Sequence, residues 1–124
     1  MKYYIIQEIG YEYNDETYQR PENDSGTPVN VFIDKSLALE KLDELNCKAI
    51  NETDYPSSYC GYESVLEQHV DEEKFLNLCT KLGVKTAGDL DDYNFQFENL
   101  TLEQYKAIKS CLSLEFYVIV EVNG

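Results

Sequence analysis

The chain has no tryptophan, one histidine, one methionine and three prolines in 124 residues. It is also short of positive charge: ten Lys and Arg stand against 24 Asp and Glu, a net charge of −14. Each shortage excludes something. A surface this negative repels a phosphate backbone, which argues against direct nucleic-acid binding. One histidine cannot supply the two or three imidazoles of the usual zinc centres. No apolar run approaches the ~18 residues that cross a bilayer. The stretch 3–6 is too short for a secretory h-region, and no small-residue cleavage site follows it. Nucleotide-binding glycine loops and the G-x-S-x-G nucleophile elbow are both missing.

The four cysteines, Cys47, Cys60, Cys79 and Cys111, match no C-x-x-C spacing. With no export signal, reduced thiols and a cytoplasmic location are expected. The sequons at Asn23, Asn51 and Asn99 carry no meaning there. Cys47, Cys79 and Cys111 read as small buried residues on helices. Cys60, followed by Gly61, is the candidate exposed thiol, but nothing nearby in the sequence activates it.

What is present suffices for a core. Hydrophobic residues make up 43%, a normal globular fraction, so the acid excess does not imply disorder. The length suits one compact acidic domain over 1–124. The excess is spread along the chain, −4 over 1–35, −5 over 36–70 and −5 over 71–124, so there is no acidic tail. Eleven tyrosines add contact area with a polar tip.

Alternation over 2–13 predicts a strand, with Tyr3, Ile5, Ile9, Tyr11 and Tyr13 on one parity and Tyr4, Ile6 and Glu8 on the other. Residues 17–19 form a short returning arm after the Asn14-Asp15 turn. Two prolines and a glycine mark 20–28 as a loop, and 29–33 reads as a short strand. Asp34 or Ser36 caps a helix over about 35–50, whose inward stripe is Ala38, Leu42, Leu45 and Ala49, widened by Leu39. Asp71 caps a second helix, with Val70 and Phe75 as its staple, Phe75, Leu78, Cys79 and Leu82 facing inward, and Gly83 ending it. Thr86 with Asp89 suggests one helical turn, and alternating Tyr93, Phe95 and Phe97 suggest an extended stretch. Thr101 and Gln104 form a capping box for a third helix presenting Tyr105, Ile108, Cys111 and Leu112. Residues 115–122 are the clearest strand, with Phe116, Val118, Val120 and Val122 as its apolar face and Tyr117 and Ile119 half-covered. The order implies an α+β fold, a small mainly antiparallel sheet of both terminal strands plus 29–33, packed by about three helices.

Candidate chemistry is thin. His69 lies among carboxylates, but consecutive helical side chains do not converge. Asp89, Asp91, Asp92 and Asn94 break the order of a calcium loop and lack its glycine. Glu8 and Glu121 could meet across the sheet as a carboxylate pair, though two solvent-facing strand residues are the plainer reading. No cofactor or metal is expected.

These features point to a non-catalytic acidic protein-binding module. It would dock on a basic surface of a protein partner and regulate or inhibit it. A nucleic-acid-binding protein is the natural example, with carboxylates standing in for phosphates, as in a phage or mobile-element inhibitor of a host nuclease. The contact residues expected are Tyr11, Tyr13, Tyr18, Tyr55, Tyr59 and Tyr62 with Asp89, Asp91 and Asp92. The chain is expected to be a monomer or weak homodimer away from membranes. The alternatives are a small enzyme or ligand-binding domain with a site near the Tyr-rich 55–62 loop, or a stand-alone domain pairing through edge strand 29–33.

Overall fold

The fold was analysed in a computed structural model. It describes residues 1–9, 27–52, 66–67, 69–88, 95–113 and 115–124, and the backbone of 12–13 and 18–19. In chain order the elements are β1 (Lys2–Glu8), β2 (Glu12–Tyr13), β3 (Tyr18–Gln19), β4 (Thr27–Phe32), α1 (Lys35–Glu52), α2 (Glu72–Leu82), β5 (Lys85–Ala87), β6 (Gln96–Glu98), α3 (Leu102–Ile108), a 3₁₀ turn (Lys109–Cys111) and β7 (Tyr117–Asn123). The α+β fold expected from the sequence is the one observed. A three-stranded antiparallel sheet, ordered β4-β1-β7, brings the two chain ends together as neighbours. Among the described residues there are also two short antiparallel pairs, β2-β3 and β5-β6.

Local chemistry sets the helix ends. The Asp34 carboxylate accepts from the backbone N–H groups of Ser36 and Leu37 at 2.8 and 3.3 Å, satisfying donors that the first turn leaves open. Asp71 accepts from the Lys74 N–H at 2.9 Å. Gly83 ends α2 at φ 74°, where a Cβ is disfavoured. Thr101 and Gln104 close the capping box of α3 reciprocally.

Helix α1 joins the two parts of the interior. It lies across the sheet, where Ala38 and the central-strand Ile6 are fully buried, and it also contacts α3 and β6. Its C-terminal half sends Cys47 and Ile50 into a cluster with Phe75, Cys79, Val84, Phe95, Phe97, Leu100, Tyr105, Ile108 and Leu112. Each large apolar side chain buried in this way contributes about 1.5–3 kcal/mol. The Phe95 and Phe97 rings meet edge to face, with centroids 5.3 Å apart.

Several expectations are corrected. The buried face of α1 is Ala38, Asp43, Asn46, Cys47 and Ile50. Leu42, Leu45 and Ala49 are only half-buried and Leu39 is exposed. Polar partners elsewhere in the fold rotate the helix toward Asp43 and Asn46, which a purely apolar periodicity does not register. Leu82, at the end of α2, is exposed rather than inward. Thr86 lies in β5 rather than a helical turn, because residues 85–87 pair with 96–98. The first strand stops at Glu8, and residues 12–13 form a separate strand with 18–19, the returning arm. The loop assigned to 20–28 ends earlier, since Thr27 and Pro28 belong to β4. β4 is an edge strand, where a missing N–H is tolerated.

The largest correction concerns which face of the sheet is covered. Register places Ile6 opposite Asn30 and Ile119, and Tyr4 opposite Phe32 and Glu121, so this parity faces α1. Ile5 lies between Val31 and Val120, and Tyr3 lies opposite Val122, on the other face. The all-valine face of β7, expected to pack inward, is therefore the open one. Val31 is 61% exposed, Val120 37% and Val122 39%.

Candidate protein-binding surface

The acidic side chains are carried on almost every element. Among carboxylates whose side chains are described, all are exposed except Asp43. They stand on β1 (Glu8), along α1 (Glu40, Glu44 and Glu52), on the first turn of α2 (Glu72 and Glu73), on β6 (Glu98), on α3 (Glu103) and on β7 (Glu121). Three of these sit beside a lysine: Glu121 with Lys2 at 3.1 Å, Glu44 with Lys41 at 3.7 Å and Glu52 with Lys48 at 4.0 Å. The Lys2 ammonium lies close enough to Glu121 to hold its carboxyl below the usual range. Solvent-exposed pairs of this kind are weak, so most of the negative field remains directed outward.

The acid density rises at the start of α2. Asp71 caps the helix, Glu72 and Glu73 complement the positive end of its dipole, and Glu67 is exposed just before. Leu76 and Asn77 lie one turn on, and with the three acids they line a shallow recess of about 450 Å³. Local helix grammar accounts for these acids, and the recess is open and polar-edged.

A second recess, of about 390 Å³, lies between α1, the 3₁₀ turn and β7. Three of its polar side chains, Asp43, Asn46 and Lys109, have structural partners. Lys109 Nζ donates to both Asp43 oxygens at 3.0 Å. Asn46 Nδ2 donates to the Tyr117 carbonyl at 3.1 Å, and Asn46 Oδ1 accepts from the Phe116 and Tyr117 N–H groups at 2.9 Å. Burial, with the nearby charges of Asp43 and Glu115, pushes the Tyr105 phenol up from its ordinary value. The arrangement holds α1, the 3₁₀ turn and β7 together.

The sequence-derived site residues are distributed as follows. Tyr11, Tyr55, Tyr59, Tyr62, Asp89, Asp91 and Asp92 lie outside the described residues, as does Cys60. Tyr13 and Tyr18 are brought opposite one another in the β2-β3 register. His69 is exposed in a turn just before the α2 cap. Glu8 and Glu121 do not pair: Glu8 is opposite Tyr117, and Glu121 is opposite Tyr4 four residues along the strand. Cys47 and Cys79 are buried and Cys111 half-buried, and burial raises the thiol pKa of the first two. Among the described residues there is no group of three or more His, Cys, Asp or Glu placed to hold a metal, and no helix long and apolar enough to cross a membrane. The open sheet face escaped the sequence reading because β1 is apolar on both parities, so alternation alone did not show which side α1 would cover.

In comparisons with protein-family models, curated proteins and solved structures, nothing matches this chain.

Proposed function

We propose that this protein is a non-catalytic acidic module that docks on a basic protein surface and regulates or inhibits that partner. One observation carries the reading: of the fourteen carboxylates whose side chains are described, only Asp43 is taken into the interior and the other thirteen are exposed, in a chain of net charge −14. Such a field steers a positively charged partner toward the surface and raises its association rate, with a strong dependence on ionic strength. The carboxylates stand on at least six elements, which favours a general acidic field over a single phosphate-like row. A nucleic-acid-handling protein is a natural member of the partner class, because its own surface must be basic. The proposed setting is the cytoplasm.

The test is capture of partners from a lysate on the immobilised protein, eluted with stepped salt and identified by mass spectrometry. A variant carrying Glu40→Lys, Glu72→Lys and Glu73→Lys serves as the control. The reading requires a basic protein that elutes as salt rises and is depleted on the variant. Retention of partners that ignore both salt and charge reversal would overturn it.

A further inference from the structure

We infer that the recess between α1, the 3₁₀ turn and β7 receives an arginine side chain of the basic protein partner. The inference rests on the docking reading above and specifies one contact, its place and its chemistry.

Tyr105 is the residue that points to a ligand. Only 5% of it is exposed, it lines the recess, and its hydroxyl has no hydrogen-bond partner among the described residues. Asp43 and Glu115, whose charges act on that hydroxyl, line the same recess. Buried polar groups in folded proteins are nearly always hydrogen-bonded, so a phenol left this way is set for a group that enters. Each Asp43 oxygen takes one bond from Lys109, and a carboxylate oxygen accepts more than one. Acceptors from α1, α3 and the approach to β7 therefore line one space of about 390 Å³. That is at the small end of ligand pockets and suits a single side chain.

Charge and shape together choose the occupant. Among the described lining residues, Asp43 and Glu115 stand against the ammonium of Lys109. Glu8 and Glu52 lie close to Tyr117, a further lining residue, and Glu52 has Lys48 at 4.0 Å. Four carboxylates thus face two ammonium groups, which favours a cation over an anion. Lys109 already holds the compact ammonium position on Asp43. The acceptors that remain are separate ones: further lone pairs of Asp43, the Tyr105 oxygen and the Glu115 carboxylate. A guanidinium spreads five N–H donors over a plane and reaches several such acceptors at once, whereas an ammonium is a point charge. Leu42 and Ile119 also line the recess and cover the aliphatic stem. The occupant is therefore an arginine side chain, of which a basic protein surface has a supply.

Three peptides of the form acetyl-Gly-Ser-X-Ser-Gly-amide test this, with X arginine, lysine or citrulline, the last an uncharged isostere of arginine. Each is titrated into the full chain at ~0.15 M salt, and proton–nitrogen NMR reads both affinity and place. The arginine peptide is expected to bind about tenfold tighter than the citrulline peptide and about threefold tighter than the lysine peptide. Its shifts should centre on the Asn46 side-chain amide and the backbone amides of Lys109 and Tyr117. Glu115→Gln and Tyr105→Phe should each bring arginine binding to within about threefold of citrulline binding. Glu98→Gln removes the same charge on β6, outside the recess, and should leave arginine binding unchanged. Glu115 is exposed, so its variant carries the test if Tyr105→Phe is destabilised. Arginine binding no tighter than lysine or citrulline, equal effects of Glu98→Gln and Glu115→Gln, or shifts centred elsewhere overturn the recess, while salt-dependent capture of a basic protein leaves the docking reading standing. Free arginine that binds about tenfold tighter than its peptide identifies a small molecule as the occupant and also overturns the inference. Absence of any salt-sensitive basic protein in the capture experiment overturns the docking reading and this inference with it.

Discussion

Asn51, on the last turn of α1, pairs its side-chain amide with the backbone of Leu100 as a neighbouring strand would. The Leu100 N–H donates to Asn51 Oδ1 at 2.8 Å, and Asn51 Nδ2 donates to the Leu100 carbonyl at 2.7 Å. Leu100 is buried between β6 and α3, just after Asn99 at φ 53°, so its peptide groups leave the β5-β6 ladder and need other partners. Asn46 does the same for Phe116 and Tyr117 at the start of β7. Two asparagines on one helix thus tie it to two distant segments.

Replacing these amides should be costly because both backbone partners lose a hydrogen bond. Asn46→Ala, at a nearly buried position, is expected to lose about 2–3 kcal/mol, and the more exposed Asn51→Ala about 1–2 kcal/mol. Urea denaturation measures both. A loss below about 0.5 kcal/mol at Asn46 would show that water replaces the amide without penalty.

The Asp43–Lys109 pair should respond asymmetrically. Asp43 is buried, whereas the Lys109 side chain is about half exposed. Lys109→Met strands a carboxylate in the interior and is expected to cost about 2–3 kcal/mol. Asp43→Asn leaves the ammonium free to hydrate and should cost less. In the double variant much of the Lys109→Met loss should be recovered, giving a coupling of about 1 kcal/mol or more in a double-mutant cycle. Strict additivity would show that the pair contributes nothing beyond its separate parts.

Stability should fall on the alkaline side. Burial raises the thiols of Cys47 and Cys79 above their ordinary value of 9.0, and burial with nearby Asp43 and Glu115 raises Tyr105 above 10.0. Above pH 9 the unfolded chain releases protons that the folded chain retains, so the free energy of unfolding decreases with pH. The contribution is complete below pH 9 and is lost progressively as pH rises toward the folded-state values. Denaturation midpoints at pH 8, 9.5 and 10.5 should therefore decline in order, and Tyr105→Phe should flatten the steepest part. A midpoint that is level through pH 10.5 would contradict this.

Salt should act in opposite directions on the isolated protein and on its complex. Screening relieves repulsion among exposed carboxylates, so the melting temperature should rise by a few degrees between ~0.01 and ~0.15 M salt. The same screening weakens a contact with a basic partner. A level or falling melting temperature would mean that the exposed acids are too far apart, or too well paired, to repel.

Much of the fold was legible from local grammar. Asp34, Asp71, Gly83 and the Thr101–Gln104 box mark helix ends within a few residues, and their signals are complete within one turn of chain. The alternation read over 2–13 and 115–122 located both terminal strands, which are observed over Lys2–Glu8 and Tyr117–Asn123. The stripe of α1 was misread because Asp43 and Asn46 turn inward toward Lys109 and Tyr117, partners 66 and 71 residues away. The proposed tyrosine and aspartate contacts fall largely outside the described residues, so the structure adds for them only the Tyr13–Tyr18 register.

By itself the sequence determined the net charge, the capping residues of the described helices, and the two terminal segments as strands. These depend on composition and on neighbours within a turn or an alternating strand. Only the tertiary structure decided which face of the sheet α1 covers, which of its polar residues are buried, and where an uncharged apolar surface is left open. Those outcomes depend on segments far apart in the chain competing for the same partners, and no local period records the result.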